Sequence, residues 1–159
     1  MIILDCEASG LGVDSYPIEV AWQHRYDDTQ FDSFLIRPAA EWIYWDSYAE
    51  QEIHKIARQM LREEGIPVAE ACRRLNDALA GQCVYSDCPS HDRMWLIRLF
   101  DVAGVQKQFR VDDVRTLVMP KQRTKLEHRF EKIRVEHRAL SDVRGIIQCL
   151  NYFRPREEN

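Results

Sequence analysis

The sequence has no internal repeat, no low-complexity tract and no linker, which leaves no sign of a repeat array or of tandem domains. No apolar run approaches the roughly 18 residues of a membrane span. The opening Met-Ile-Ile-Leu-Asp carries neither the basic region nor the small-residue cleavage site of a secretory leader, so a cytoplasmic location is expected. Five cysteines (Cys6, Cys72, Cys83, Cys88 and Cys149) form no C-x-x-C pair. Their odd number and scatter predict reduced thiols rather than a disulfide frame or a zinc site. Positive charge is not in excess either. Lys and Arg number 22 against 26 Asp and Glu, a net charge of −4 at pH 7. That excludes a protein that clamps long duplex through a uniformly basic surface. Acidic residues that hold metal ions remain compatible with it.

What is present is globular: 45% apolar and 30% charged residues in a chain of 159. A chain of about 150 residues buries roughly 68–70% of its unfolded surface, enough for one core. One domain over residues 1–153 is therefore expected, with a polar, frayed tail at 154–159. Met1–Asp5 is a short apolar run that ends in an acid and reads as a buried strand. Gly10 to Pro17 reads as a turn. Ile18–His24 and Phe31–Arg37 read as two further strands, stopped by Pro38. Ala49–Glu64 has a helical pattern that Gly65 ends, and Val68–Leu79 carries a second helical stripe. Cys83–Ser86 is a fourth strand, and Ser90 opens a helix that runs to Ala103 and closes at Gly104. Phe109–Val111 with Val114–Met119 supplies a fifth strand. Thr124–Ile133 is a basic amphipathic helix, and a last helix runs from about Ser141 to Phe153. This order predicts an α/β layered domain with a mixed sheet of about five strands.

Five residues carry candidate chemistry: Asp5, Glu7, Asp92, His137 and Asp142. Period-two geometry points Asp5 and Glu7 to one face of the first strand. Unpaired charges on a buried strand are costly, and a divalent cation relieves that cost; oxygen ligands favour Mg²⁺ or Mn²⁺. Asp142 in the first turn of the last helix reads either as a metal ligand or as a helix-dipole partner. Asp92 at the start of its helix has the same two readings. His137, five residues before Asp142, reads as a general base or as a surface histidine in a basic segment.

Three motifs resemble those of the DEDDh (DnaQ-like) 3′–5′ exonucleases of the RNase H-like superfamily. The first is Asp5-Cys6-Glu7-Ala8-Ser9-Gly10-Leu11, the second Asp92 ahead of Arg93-Met94-Trp95-Leu96, and the third His137-Arg138-Ala139-Leu140-Ser141-Asp142. They stand in the family's order. Tyr16-Pro17-Ile18-Glu19-Val20 resembles its second strand, and Glu52-Ile53-His54-Lys55-Ile56 its E-x-x-H-G-I segment. The resemblance implies an RNase H-like α/β fold and two divalent cations, Mg²⁺ or Mn²⁺. Asp5, Glu7 and Asp142 would hold one; Asp5 would bridge to the other, with Asp92 near it. His137 would take the proton of the attacking water. Nucleoside 5′-monophosphates would leave a 3′-hydroxyl end. The alternative on the same fold is a non-catalytic nucleic-acid-binding module, and a small-molecule phosphodiesterase or endonuclease is a third class. Three departures stand out. Asp87 occupies a usual Asn position and competes with Asp92 as ligand, His91 stands where an aromatic or Gln is usual, and Lys55 replaces the glycine of E-x-x-H-G-I.

The resemblance also places Ala8, Ser9, Gly10 and Leu11 against the terminal nucleotide, and Trp45 and His54 on the substrate side. Trp42, Tyr44, Trp45 and Tyr48 either stack bases or pack beneath a long loop, whereas Trp22 and Trp95 read as core. From Lys121 to Arg138 there are seven Lys or Arg against three Glu, a run that leads into His137 and suits a phosphate backbone. Short single-stranded RNA or DNA 3′ ends are the expected partners, without a membrane. A homodimer is consistent with the family, although no interface signature is visible.

Overall fold

The protein is described from a computed structural model that covers residues 1–133 and 136–153. Arg134, Val135 and the expected polar tail at 154–159 lie outside the described residues. The sheet has five strands: β1 (Ile2–Ala8), β2 (Pro17–His24), β3 (Asp27–Leu35), β4 (Cys83–Ser86) and β5 (Arg110–Asp113), in the spatial order β3-β2-β1-β4-β5. β1 is central. It runs antiparallel to β2 and parallel to β4, and β4 is parallel to β5. The helices are α1 (Arg58–Glu64), α2 (Val68–Leu79), α3 (Pro89–Ala103), α4 (Arg123–Phe130) and α5 (Ala139–Leu150).

The two-residue period of β1 divides the core. Leu4, Cys6 and Ala8 pack with Leu75 and Leu79 of α2 and with Leu96 and Leu99 of α3. Ile3 points the other way, into a second cluster with Val143, Ile146 and Leu150 of α5 and Leu126 of α4. Asp5 and Glu7 follow Ile3 in that alternation. They therefore emerge on the α5 side, toward the strand's C-terminal end, where open α/β sheets hold ligands.

Several elements depart from the sequence expectations. β1 continues past Asp5 to Ala8, so both acids lie within the strand. The single helix expected over Ala49–Glu64 is instead a one-turn π-helix (Ala49–Ile53), an extended link, and then α1. The break falls at Lys55, whose φ of +56° cannot continue a right-handed helix. Val114–Met119 is not strand: Val114–Leu117 turns as 3₁₀-helix, nucleated by Asp113, whose carboxylate accepts from the Arg115 amide at 2.8 Å. α5 starts at Ala139 rather than Ser141 and ends at Leu150.

α5 carries part of the functional cavity, so the anchoring of its far end matters. Arg25, from the β2–β3 connection, donates through Nη2 to the carbonyls of Leu150 (2.5 Å) and Phe153 (3.2 Å), and through Nε to Asn151 Oδ1 (3.2 Å). A cation there adds to the Phe153 amide, which also donates to the Leu150 carbonyl, and complements the negative end of the helix dipole. Truncation by Arg25→Ala should cost about 1.5–3 kcal/mol, as hydrogen bonds to charged groups do. An unchanged midpoint of urea unfolding would contradict this role.

Candidate active site

The five sequence-predicted residues meet in one cavity of about 310 Å³. They arrive from four places: Asp5 and Glu7 from β1, Asp92 from the first turn of α3, and Asp142 from the first turn of α5, with His137 just ahead of it. Their donor atoms form two groups. Atoms of Glu7, His137 and Asp142 all lie within 4.8 Å of one another, as do those of Asp5, Asp87 and Asp92. Asp87 and Asp92, alternatives in the sequence, thus both face Asp5. Asp92 is the deeper of the two, 1% exposed and hydrogen-bonded by the Ser86 hydroxyl. Asp87 is anchored through its backbone carbonyl, which accepts from Arg115 Nη1 at 2.6 Å.

Electrostatics mark this as a place of uncompensated negative charge. Burial pushes the Asp5 carboxyl well above the usual carboxylate range, and Asp92, Glu7, Asp87 and Asp142 push it further. Glu7 is raised to about 8, by burial first and then by Asp142 and Glu19, with Arg138 opposing. Asp92 is raised to about 7, chiefly by burial; its hydrogen bonds from Ser86 and Cys6 hold it down in part. Burial also raises Asp87 and Asp142. A salt-bridged surface cluster would show the opposite direction. Hard oxygen donors in two adjacent groups, short of cationic partners, fit divalent cations such as Mg²⁺ or Mn²⁺.

His137 is held in place through its neighbours. Its φ of +52° lies in the left-handed region, unusual for a residue other than glycine. Asp142 Oδ1 accepts from the Glu136 amide at 3.1 Å, and the His137 amide also donates to this carboxylate. The Ser141 hydroxyl donates to Glu136 at 2.9 Å. On the other side, Arg138 grips Glu19 of β2 through Nη2 to Oε1 at 2.8 Å and Nε to Oε2 at 3.1 Å. Glu19 Oε2 also accepts from the Ala139 amide at 2.9 Å, at the start of α5. Glu19 is 3% exposed and sits directly opposite Glu7 in the sheet. Sequence reasoning gave it no role beyond its strand. An ionisable residue inside an otherwise apolar strand was the available signal.

On the substrate side, Ala8, Gly10, Leu11 and His54 line the cavity, as do Ile53 and Trp95. Gly10 has φ +149°, and a Cβ there would come within 2.7 Å of Asp46 Cβ and 2.9 Å of Tyr44, so this close approach requires glycine. Ser9 and Trp45 do not reach the lining. The buried Ser9 hydroxyl accepts from the Tyr16 amide at 3.2 Å. Trp45 donates to Glu50 at 2.6 Å and meets the His54 ring edge-on, supporting it from behind. Trp42 stacks on Tyr16 within the core, whereas Tyr48 is exposed. Trp95 is buried as expected and donates to the Ser15 hydroxyl at 2.8 Å. Trp22 packs only partly buried against the same core. His54 is 3% exposed, and its Nδ1 accepts from the Ile56 amide at 3.0 Å. Burial lowers its pKa and favours the neutral ring, which leaves the proton on Nε2. That Nε2 is buried without a hydrogen-bond partner, an orphan donor suited to an incoming acceptor.

Solved structures with this arrangement of strands and helices include E. coli exonuclease I in complex with a dT13 oligonucleotide (TM-score 0.72, 16% identity, 95% of this chain and 40% of that one). A moderately thermophilic exonuclease I from Methylocaldum szegediense matches at TM-score 0.70 and 19% identity, over 95% of this chain and 40% of that one. The zinc-bound E. coli ExoI–ssDNA complex matches at TM-score 0.68 and 17% identity, over 92% and 38%. The chain has the exonuclease I fold. It spans about two-fifths of the length of these exonuclease I structures. No family model and no curated protein sequence matches the chain. Among the described residues, no helix is long and apolar enough to cross a membrane, and all five cysteines are free.

The raised carboxyl pKa values fix the direction of a pH effect. Glu7 moves from an ordinary 4.5 to about 8, so the folded state binds its proton more tightly than the unfolded chain does. Stability from this group is complete below about pH 4.5 and is lost as pH climbs toward 8. A divalent cation that takes the proton's place restores it. Manganese should therefore raise the melting temperature more at pH 8 than at pH 5. Glu7→Gln should raise the metal-free melting temperature at pH 8 by a few degrees, at roughly 2–4 °C per kcal/mol for this size, and shrink the manganese response. A manganese shift independent of pH would contradict the assignment.

Proposed function

We propose that the chain is a metal-dependent 3′–5′ exonuclease of the DEDDh type, which releases nucleoside 5′-monophosphates from single-stranded or short nucleic-acid 3′ ends. The supporting observation is the convergence of Asp5, Glu7, Asp92, His137 and Asp142 on one cavity with their carboxyls pushed up by burial and mutual repulsion. The fold shared with exonuclease I structures that contain oligonucleotides adds to this reading. In it, residues 1–153 form the catalytic domain.

Glu7 and Asp142, with Asp5, would hold one Mg²⁺ or Mn²⁺, and Asp5 with Asp92 the second, Asp87 contributing beside them. Two such cations supply charge stabilisation to the attacking and leaving oxygens of an in-line displacement at phosphorus. His137 takes a proton from the attacking water, its backbone held for that task by Asp142 and by the Arg138–Glu19 pair. His54 Nε2 donates to an oxygen of the terminal nucleotide. The Gly10 backbone lets that nucleotide approach closely, and Leu11, 69% exposed at the rim, offers it an apolar surface. Protons must leave Glu7 and Asp92 before cations bind, so cation affinity, and with it activity, rises from pH 6 to pH 8.

The decisive experiment incubates 5′-labelled RNA and DNA oligonucleotides, single- and double-stranded, with Mn²⁺ or Mg²⁺. A ladder that shortens one nucleotide at a time from the 3′ end, stopped by EDTA and abolished in Asp5→Asn, is the expected result. His137→Ala should lower turnover roughly 10²- to 10⁴-fold, the scale of general-base catalysis, while the manganese thermal shift survives. Binding without cleavage would favour a non-catalytic module, and equal cleavage of 3′-phosphate-blocked oligonucleotides an endonuclease.

A further inference from the structure

Every acid of α4 is already engaged. Glu127 pairs with Arg115 (Nη2 to Oε2, 3.3 Å), and Glu131, just beyond the helix, pairs with His128 at 3.1 Å. Lys121, Arg123, Lys125, Arg129 and Lys132 are left without any carboxylate partner among the described residues. Arg73, Arg74, Arg93, Arg115 and Arg138 are paired, while Arg37, Arg58, Arg62, Arg98, Arg110 and Arg144 also lack a carboxylate partner among the described residues but are spread over the chain. In a chain of net charge −4, five unpaired cations on and beside one short helix are a concentrated field.

These cations border a cleft. Lys125, Arg129 and Lys132 on one side, and Gln148 and Tyr152 on the other, line a cavity of about 320 Å³ between α4 and α5. Arg129 lies 3.0 Å over the Tyr152 ring, and its buried Nε has no hydrogen-bond partner. Tyr152 is 62% exposed, leaving aromatic surface open to a base. The cleft adjoins the acidic cavity, with Ile133 lining both. α4 is itself docked firmly, with Leu126 fully buried and Glu127 tied to Arg115, so its cations are presented on a fixed support.

We propose that this cleft is a subsite for the internal phosphates of a single-stranded nucleic acid whose 3′ end occupies the acidic cavity. The identity of the polyanion rests on the nuclease reading; the cleft's preference for phosphate rests on its own geometry. A sequence-independent cationic track beside an aromatic face suits a single strand, whose bases stack on any ring. The consequence is a dependence on length: strands long enough to reach from the cavity into the cleft bind more tightly than those that end short of it.

The probes are 5′-fluorescein-labelled oligo-dT and oligo-U of 3 and 12 nucleotides, followed by anisotropy in EDTA, where nothing is cleaved. The 12-mers should bind at least tenfold more tightly than the 3-mers. Their log Kd against log salt should be steeper, by about 0.7 for each phosphate held. The exposed pair Lys125→Ala/Lys132→Ala should weaken 12-mer binding roughly tenfold and leave the 3-mers unaffected. Equal 12-mer affinity in the wild type and the double variant overturns the inference. Displacement by polyglutamate as effective as by unlabelled 12-mer overturns it in favour of an acidic protein partner. Hydrolysis of thymidine 5′-p-nitrophenyl phosphate by the wild-type protein with Mn²⁺ reports on the acidic cavity separately. Length-dependent, variant-sensitive binding without this hydrolysis supports the cleft while the nuclease reading fails. Hydrolysis with variant-insensitive binding overturns the cleft and leaves that reading standing.

Discussion

Repulsion among carboxylates gathered at the end of one buried strand is the constraint on which the rest of the molecule depends. Two unit charges 4 Å apart in an environment of effective dielectric about 20 repel by roughly 4 kcal/mol, and the cavity brings Asp5, Glu7, Asp87, Asp92 and Asp142 together. The fold meets this cost in the metal-free state by proton uptake, which is why every one of these groups is shifted upward. A site of this kind is pre-organised for cations: the surrounding sheet and helices, rather than the ions, hold the oxygens close. Burial is the largest cause at each carboxyl, so the enclosing core shifts these groups as much as the acids do.

That enclosure depends on a second, smaller electrostatic device. Glu19 lies across the sheet from Glu7 and would add to the negative charge if it stood alone. Its carboxylate is instead saturated by Arg138 and the Ala139 amide. The same contacts fix the residue after His137 and start α5 at the right height for Asp142. One buried acid thus does two things at once: it anchors the left-handed turn that carries the imidazole, and it draws a cation near enough to moderate Glu7. Arg25 fixes the opposite end of α5, so the helix is held by an arginine at each terminus, one inside the helix-start network and one capping its last carbonyls.

Much of this was legible in the sequence where local rules and tertiary demands agree. The apolar run of β1 and its alternating acids placed the centre of the sheet, and three short motifs placed the five chemical residues. The order of strands and helices followed from periodicity and from the stops at Pro38, Gly65 and Gly104. Failures occurred where a side chain's contact with the backbone overrode pattern. The helical periodicity of Ala49–Glu64 is real, but His54 uses its Nδ1 to hold the Ile56 amide, and the chain passes through a left-handed Lys55 to do so. Val114–Met119 looks β-rich, yet Asp113 caps a turn there. Trp45 reads in the sequence either as a base-stacking residue or as packing beneath a loop, and it stands against His54 rather than at the cavity wall. Glu19 escaped because its importance lies in partners more than a hundred residues away.

The segregation of charge follows from the same constraint. A polyanionic strand meets net repulsion from the carboxylates whenever they are ionised without cations, and salt-screened attraction over about 8 Å at physiological ionic strength cannot be supplied by the cavity itself. The attraction must come from outside it. The chain sets Lys125, Arg129 and Lys132, none with a carboxylate partner among the described residues, around one cleft whose lining residue Ile133 also lines the acidic cavity. A uniformly basic surface would have been costly in a different way, because it would draw duplex and single strands alike and would set cations against one another across the fold. In the proposed reading, separate acidic and basic regions that share Ile133 would let a metal-holding end and a phosphate-holding end each keep the charge it requires.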